Sequence, residues 1–352
     1  MTTLVAERAR QTAGRTRLLL LALLVLCLSG CSRPPEALTL EGQTMGTYWM
    51  VRLGSVPDGF ASDELRAQIE AVLEQVNDEM STYRPDSAIS RFNRAEPGTA
   101  FDLPSGFARV LGEALYWAEQ TDGAFDPTAG PLVNLWGFGP GDSERTIPPP
   151  ERIDQVKAGV GWQRLVYDAD RARLTQPGEL YLDLSGIAKG WGVDVVAEHL
   201  LSVGIEDFLV DIGGELRVSG TRPDGTLWRV GIERPAADRR EAVTIVEVSD
   251  LAIATSGNYR NFFEAEGEHF SHLIDPRSGR PISHSTVSVT VAADTAAAAD
   301  ALATALSVMA IDEAWRFASE RGLAVFWLVA DEQALSERMT PAFEQLLNTG
   351  ET

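Results

Sequence analysis

The sequence contains little cysteine, histidine or positive charge. In 352 residues it has two cysteines, four histidines and 30 lysines and arginines, against 51 aspartates and glutamates. Two cysteines exclude a disulfide scaffold, and with four histidines they leave little material for a zinc cluster. Any metal would therefore be a hard cation on oxygen ligands. The net charge of −21 would repel a phosphate backbone, so we expect no nucleic-acid partner.

Common nucleotide-binding and hydrolase motifs are also missing. No Gly-x-Gly-x-x-Gly segment opens a helix and the Walker spacing does not occur, which leaves a Rossmann or P-loop site without support. No Gly-x-Ser-x-Gly nucleophile elbow is found. The apolar run at residues 18–28 has only 11 residues, whereas a helix that spans a bilayer needs about 20.

This short apolar run indicates an N-terminal export signal. Four arginines precede it and Leu28-Ser29-Gly30-Cys31 ends it, a pattern typical of a secretory signal. Small residues before a cysteine resemble the processing site of a bacterial lipoprotein. We therefore predict a signal peptide over residues 1–30, lipidation of Cys31 and a lipidated tether over residues 31–37. The alternative is an ordinary signal peptide with an incidental cysteine.

Processing at Cys31 would change the charge balance and the location of the protein. The remaining chain would carry 26 basic and 50 acidic residues, a net charge of −24, and a single cysteine. We expect a lipoprotein of the bacterial cell envelope that faces the periplasm, anchored in the inner or the outer membrane.

The rest of the chain mixes helical and strand patterns without regular βαβ alternation. Apolar residues at helical spacing predict a helix capped by Ser62 and further helices over residues 107–120, 151–160, 186–203, 295–309 and 311–320. Apolar runs and alternation predict strands over residues 38–53, 165–168, 180–184, 208–212, 216–219, 228–233, 242–248, 287–291 and 326–329. We therefore predict an α+β fold in which residues 38–348 form a single catalytic unit, as one body or as two lobes.

Two helices carry polar residues that could take part in chemistry. Lys189 lies in the first turn of a helix, where backbone N–H groups favour an anion. It could hold a ligand phosphate, or it could form a surface pair with Asp183. Asp300 and Thr304 lie four residues apart on one face of an alanine-rich helix, a spacing that suits two oxygen ligands of Mg²⁺ or Ca²⁺. The alternative for this second pair is a solvated polar stripe.

Two further segments are candidates for a functional role. His272 stands just before the turn at residues 275–281, and histidine is the side chain most readily poised as a base near neutral pH. The alternative is a structural histidine that bonds the turn. Residues 255–257, Thr-Ser-Gly, have the composition of a loop that can approach a phosphate.

Seven segments in sequence order resemble the FAD:protein FMN transferase family, also called the ApbE family. They cover the chain from about residue 40 to residue 310, and the lipoprotein-like start fits the same family. The matching segments are Met45-Gly46-Thr47, residues 80–87 with 91–93, residues 123–139, residues 183–190, residues 211–215, residues 255–257 and residues 271–276.

This resemblance implies an activity and a set of site residues. Members transfer the FMN half of FAD to a threonine hydroxyl of a target protein, form a phosphoester bond, require Mg²⁺ and release AMP. Targets would be threonine-containing subunits of redox-driven ion pumps or related flavoproteins. By position, FAD would be bound by Met45, Tyr83, Ala124, Phe125, Asp126, Asp183, Lys189 and Ile274. Mg²⁺ would be held by Asp300, Thr304 and the backbone carbonyl of Gly186, with His272 as the base near the acceptor hydroxyl.

Two other functions stay open on the sequence. If water replaced threonine at the same site, the protein would be an FAD pyrophosphatase that gives FMN and AMP. A protein without catalytic activity would instead be a periplasmic flavin-binding lipoprotein. In every case the acidic chain would need local positive charge for the pyrophosphate of FAD: the cation, a helix N-terminus and Lys189.

Overall fold

A computed structural model describes residues 37–57, 60–140, 145–234, 241–259, 261–331 and 335–349. The predicted signal peptide, the predicted lipidation site Cys31 and the tether up to residue 36 lie outside these residues. Within the described ranges no helix is both long enough and apolar enough to cross a membrane.

Helices and strands follow one another irregularly along the chain. The helices are α1 Ser62–Met80, α2 Ala88–Asn93, α3 Ser105–Gln120, α4 Gly130–Leu135, α5 Pro150–Lys157, α6 Ala188–Ser202, α7 Ala296–Val308, α8 Ile311–Glu320 and α9 Pro341–Thr349. The strands are β1 Leu38–Thr44, β2 Thr47–Leu53, β3 Ala100–Asp102, β4 Val166–Asp168, β5 Arg173–Thr175, β6 Phe208–Ile212, β7 Glu215–Ser219, β8 Trp228–Arg234, β9 Glu241–Val248, β10 Leu251–Gly257, β11 Phe262–Ala265, β12 Glu268–Ser271, β13 Ile274–Asp275, β14 Arg280–Pro281, β15 Thr286–Ala293, β16 Ala324–Ala330 and β17 Leu335–Met339.

An antiparallel sheet of eight strands forms the centre of the fold. Its spatial order is β1-β2-β6-β7-β10-β15-β16-β17, and every neighbouring pair is antiparallel. Smaller sheets are formed by β3-β5-β4, β8-β9, β11-β12 and β13-β14. Helices and an antiparallel sheet in this mixture confirm the predicted α+β class.

The large sheet is covered on both faces because its strands are apolar on both faces. Along β6, Val210 packs in a core with helices α1 and α6, whereas its neighbour Leu209 packs in a core with β8, β9 and α9. Successive side chains of a strand point to opposite faces, so the two cores lie on opposite sides of the sheet. Helix α7 lies on the first of these sides, in contact with β10 and β15.

The predicted strand over residues 38–53 is wrong, because the chain turns back at Met45 and Gly46. Strands β1 and β2 form a hairpin with Thr44 opposite Thr47. Met45 and Gly46 both have positive φ, 48° and 72°, as a two-residue hairpin turn requires. The apolar alternation continues through such a short turn, so the pattern alone did not reveal it.

The strand predicted over residues 180–184 does not form, although buried and half-buried residues alternate along the segment. Its backbone bonds side-chain amides instead of a neighbouring strand. Asn93 donates to the carbonyl of Leu182 and accepts from its N–H, both at 2.8 Å, and Gln176 does the same for Leu180 at 3.0 and 3.2 Å. Two amide side chains thus replace a strand partner and satisfy the buried backbone.

Most predicted helices are present with shifted ends. Ser62 is the first residue of α1 and not its cap, a position that Ala61 occupies without a side-chain hydrogen bond. Helix α6 begins two residues later than predicted and ends before Gly204, whose φ of 80° suits the residue that follows the C-terminus of a helix. The helix predicted over 311–320 has those bounds.

Gly190 allows α6 and α7 to pack against each other backbone to backbone. A Cβ at this position would lie 2.2 Å from the carbonyl oxygen of Ala296. We expect Gly190→Ala to push the helices apart and to lower the free energy of unfolding by about 1–3 kcal/mol, measured by urea denaturation. Gly112→Ala in α3 is the matched control, because its Cβ would meet nothing within 4 Å. A Gly190→Ala protein as stable as the wild type would contradict this close packing.

Candidate active site

The predicted site residues converge on one cavity of about 460 Å³. Eleven of the twelve predicted catalytic, flavin and metal residues line it, although they are spread over more than 200 positions of the sequence. The twelfth, Met45, lines an adjoining cavity of about 1050 Å³. The two cavities share the side chains of Thr82, Tyr83, Ser185 and Lys189.

Helix α7 and the loop before α6 bring oxygen atoms together at this cavity. Asp300 and Thr304 both line it from α7. Gly186 lies against them, since a Cβ built on it would be 3.3 Å from Oγ1 of Thr304. Oγ of Ser256, at the end of β10, lies 3.5 Å from the same Thr304 atom. This group of residues therefore offers the carboxylate of Asp300 together with the neutral hydroxyl oxygens of Thr304 and Ser256.

Lys189 is joined to two buried carboxylates of the cavity. Its Nζ lies 2.6 Å from Oε1 of Glu215 and 3.6 Å from Oδ1 of Asp300. Burial works against the charged form, but these two carboxylates raise the pKa of Lys189 above its usual range. The predicted alternative, a surface pair of Lys189 with Asp183, is wrong, because Glu215 and Asp300 take that place.

Glu215 brings a second buried carboxyl group to the site. Burial raises the pKa of Glu215 to about 7, and the Lys189 ammonium opposes the rise. Its second oxygen, Oε2, is buried without a hydrogen-bond partner among the described residues. A buried oxygen in this state is costly unless a cation or a donor comes to it.

The cavity fits Mg²⁺ better than a metal that needs several strong side-chain ligands. In the described part of the chain no group of three or more histidine, cysteine, aspartate or glutamate side chains could hold a metal ion. Mg²⁺ does not require such a group, because it commonly takes one or two carboxylates and fills its other positions with water and substrate phosphate. The carboxylate of Asp300 and the hydroxyl of Thr304 fit that need, with Gly186 beside Thr304 and the unpartnered oxygen of Glu215 nearby.

His272 lines the same cavity, and one of its ring nitrogens is held by the backbone. Its Nδ1 is 3.0 Å from the backbone carbonyl oxygen of Asn261. A carbonyl only accepts, so Nδ1 carries the proton and Nε2 of the neutral ring keeps its lone pair. Burial lowers the pKa of His272, and the bond to Asn261 opposes this shift. The ring is therefore neutral at pH 7 and able to accept a proton.

The residues predicted to bind flavin differ in what their side chains do. Tyr83 is 70% exposed at the junction of the two cavities, whereas Phe125 is buried in the wall of the smaller one. The Asp126 carboxylate is already occupied by protein donors: Oδ1 accepts from the N–H and hydroxyl of Thr128, and Oδ2 accepts from the N–H of the distant Trp162. Burial raises the pKa of Asp126, and these bonds oppose the rise.

Sequence reasoning gave no role to Glu215, and it placed Ser256 only in a loop that could approach a phosphate. Glu215 opens a strand in which polar and apolar residues alternate, so the pattern alone gave no sign that this acid is buried. The loop predicted over residues 255–257 is instead the end of strand β10. Its Ser256 reaches Thr304 only because β10 packs under α7, a contact that no local pattern contains.

Sequence comparison finds relatives that are named FAD:protein FMN transferase. The chain is 43% identical over 324 residues to the FAD:protein FMN transferase of Vibrio cholerae, covering 92% of this chain and 97% of that protein. The Escherichia coli K12 protein of the same name is 38% identical over 94% of this chain and 97% of its own.

Solved structures of flavin transferases also match. The Vibrio cholerae flavin transferase ApbE has a TM-score of 0.81 at 41% identity, over 89% of this chain and all of that one. The apo form of the Pseudomonas stutzeri flavinyl transferase ApbE has a TM-score of 0.81 at 38% identity, over 89% and 97%. The ApbE family model matches residues 45–327. The chain belongs to the ApbE family.

Proposed function

We propose that this protein transfers the FMN half of FAD to a threonine hydroxyl of a target protein, depends on Mg²⁺ and releases AMP. The main support for this proposal is that a neutral histidine, a paired lysine and a carboxylate–hydroxyl pair line one cavity. Relatives of the same family with 38–43% identity are named for this transfer. Together the two adjoining cavities offer room for a dinucleotide.

The side chains divide the work of a phosphoryl transfer. The acceptor hydroxyl is a weak nucleophile, so Nε2 of His272 takes its proton as the oxygen attacks the phosphorus on the FMN side. The bond from that phosphorus to the bridging oxygen breaks, and AMP leaves with the oxygen and its electrons. Lys189 places positive charge beside the pyrophosphate, in a protein whose net charge would repel it.

A cation completes this charge balance. Mg²⁺ held by Asp300, Thr304 and the carbonyl of Gly186 would stabilise the charge that develops on the leaving phosphate. The flavin would lie against Met45, Tyr83, Ala124, Phe125 and Ile274, with Asp126 and Asp183 shaping the loops around it.

We further propose that the protein acts at the cell envelope as a lipoprotein anchored through Cys31. This location is supported by the leader sequence alone. The targets we propose are threonine-containing subunits of redox-driven ion pumps or related flavoproteins that face the same compartment.

Mass spectrometry tests the proposed transfer directly. The protein is incubated with FAD, Mg²⁺ and a peptide that has one threonine in a Ser/Thr-Gly-Ala-Thr motif, and a matched peptide has alanine in its place. We expect the threonine peptide alone to gain the mass of FMN, with AMP formed in equal amount. AMP release without a modified peptide would show an FAD pyrophosphatase, and no reaction at all would point to a flavin-binding protein.

A further inference from the structure

Three charged side chains meet at the cavity wall, with two negative charges and one positive charge. The Lys189 ammonium lies 2.6 Å from Glu215 and 3.6 Å from Asp300. The side chains of Glu215 and Asp300 are 6% and 4% exposed, so water screens them little and each contact is strong. Asp300 is therefore both a partner of the Lys189 ammonium and a proposed ligand of the metal ion.

Asp300 cannot serve the ammonium and a divalent cation equally well. A cation on Oδ1 of Asp300 would repel an ammonium 3.6 Å from that oxygen. The other oxygen, Oδ2, is already used, since it accepts from the N–H of Gly190 at 3.1 Å. The ammonium therefore needs another carboxylate when a cation binds.

Glu215 is built to be that second carboxylate. It sits at the start of β7, directly after the turn at Gly213 and Gly214, where Asp211 accepts from the N–H of Gly214 at 2.9 Å. One of its oxygens holds the ammonium, and the other is buried without a partner among the described residues. No other contact described for this side chain accounts for an acid buried to this degree.

We propose that Glu215 is a positioning residue that holds the Lys189 ammonium off the cation position on Asp300 and so keeps that position free for the metal. This role rests on the proposed function, because it concerns the same metal site. Without Glu215, Lys189 would turn fully to Asp300 and compete with the cation.

Direct binding of Mn²⁺ to the full-length protein tests the proposal without any catalytic readout. The EPR signal of free Mn²⁺ gives the Kd, in mildly alkaline buffer and without FAD. Glu215→Gln removes the carboxylate, and Glu215→Asp keeps the charge but withdraws it from Nζ. We expect both variants to raise the Kd about tenfold or more, as loss of a group that orients a metal ligand does.

A double-mutant cycle with Lys189→Met separates positioning from charge. If Glu215 acts by restraining Lys189, Glu215→Gln should change the Kd less than about threefold once Lys189 is methionine. Glu70→Gln, an exposed acid that lines the larger cavity, is the control for charge and should leave the Kd within about twofold. Thermal melting establishes that each variant is folded, and Glu215→Asp decides alone if Glu215→Gln is not.

Two results would overturn the role of Glu215. One is a Kd for Glu215→Asp equal to that of the wild type. The other is an equal effect of Glu215→Gln with and without Lys189, which would mean that only its charge acts. Absence of Mn²⁺ binding in the wild type is a different failure, because it would overturn the metal site and with it the proposed Mg²⁺ dependence.

Discussion

Asp300→Asn is expected to lower Mg²⁺-dependent FMN transfer and AMP release about 10³-fold, because a metal ligand supplies several kcal/mol of charge stabilisation in the transition state. Asparagine keeps the size of the side chain and can still accept from the N–H of Gly190. The substitution therefore removes the negative charge while leaving the helix contact in place. Rates are measured as AMP release by chromatography and as peptide mass over a range of Mg²⁺ concentrations.

The control for Asp300→Asn is Asp312→Asn in helix α8. Asp312 is an exposed acid whose ion pair with Arg338 lies on the surface, so its loss should leave the rate unchanged. A wild-type rate in Asp300→Asn, with the same dependence on Mg²⁺, would show that Asp300 is not a metal ligand. Loss of activity with unchanged Mn²⁺ binding would contradict the same assignment.

His272→Gln is expected to reduce transfer to the threonine peptide by about 10²–10⁴-fold, the usual contribution of a positioned general base. Glutamine places an amide near the position of Nε2 that cannot take up a proton, and it gives up the hydrogen bond of Nδ1 to the carbonyl of Asn261. FAD binding, followed by flavin fluorescence, should change little because the ring lies at the acceptor side of the proposed reaction. A variant that transfers FMN at the wild-type rate would exclude His272 as the base.

The same histidine predicts the pH dependence of the reaction. Burial lowers the pKa of His272 below its ordinary value of 6.5. A base works only when unprotonated, so the contribution of His272 should be constant above that value and fall as the pH drops through the lowered pKa, below the pH of about 7 at which Glu215 titrates. His272→Gln should lose this acidic limb, whereas His284→Gln should keep it. His284 is a fair control, since it is also partly buried with a lowered pKa. An acidic limb that persists in His272→Gln would contradict the assignment.

Much of the chemistry was predictable because its signals are local. Asp300 and Thr304 are one helical turn apart, so any helix there places them on one face. The signals for His272, beside a predicted turn, and for Lys189, at the start of a helix, also span only a few residues. Ordered motifs then identified the family, which the comparisons confirm.

The two elements that prediction missed have different causes, one distant in sequence and one local. The strand prediction for residues 180–184 was wrong because the side chains of Asn93 and Gln176, rather than another strand, form hydrogen bonds with this backbone. The hairpin turn at Met45 was not predicted because a two-residue turn does not interrupt the apolar alternation.

By itself the sequence determined the α+β class, the helix face with Asp300 and Thr304, and the family. These follow from periodicity and short motifs, which act over a few residues. Only the tertiary structure decided which charges meet. One of the two predictions for Lys189 paired it with Asp183, six residues away, yet it pairs with Glu215 and Asp300. The reason is physical: the close packing of α6 on α7 at Gly190 and the position of β7 set those distances. In a chain with few positive charges, one lysine is held between two buried acids at the cavity.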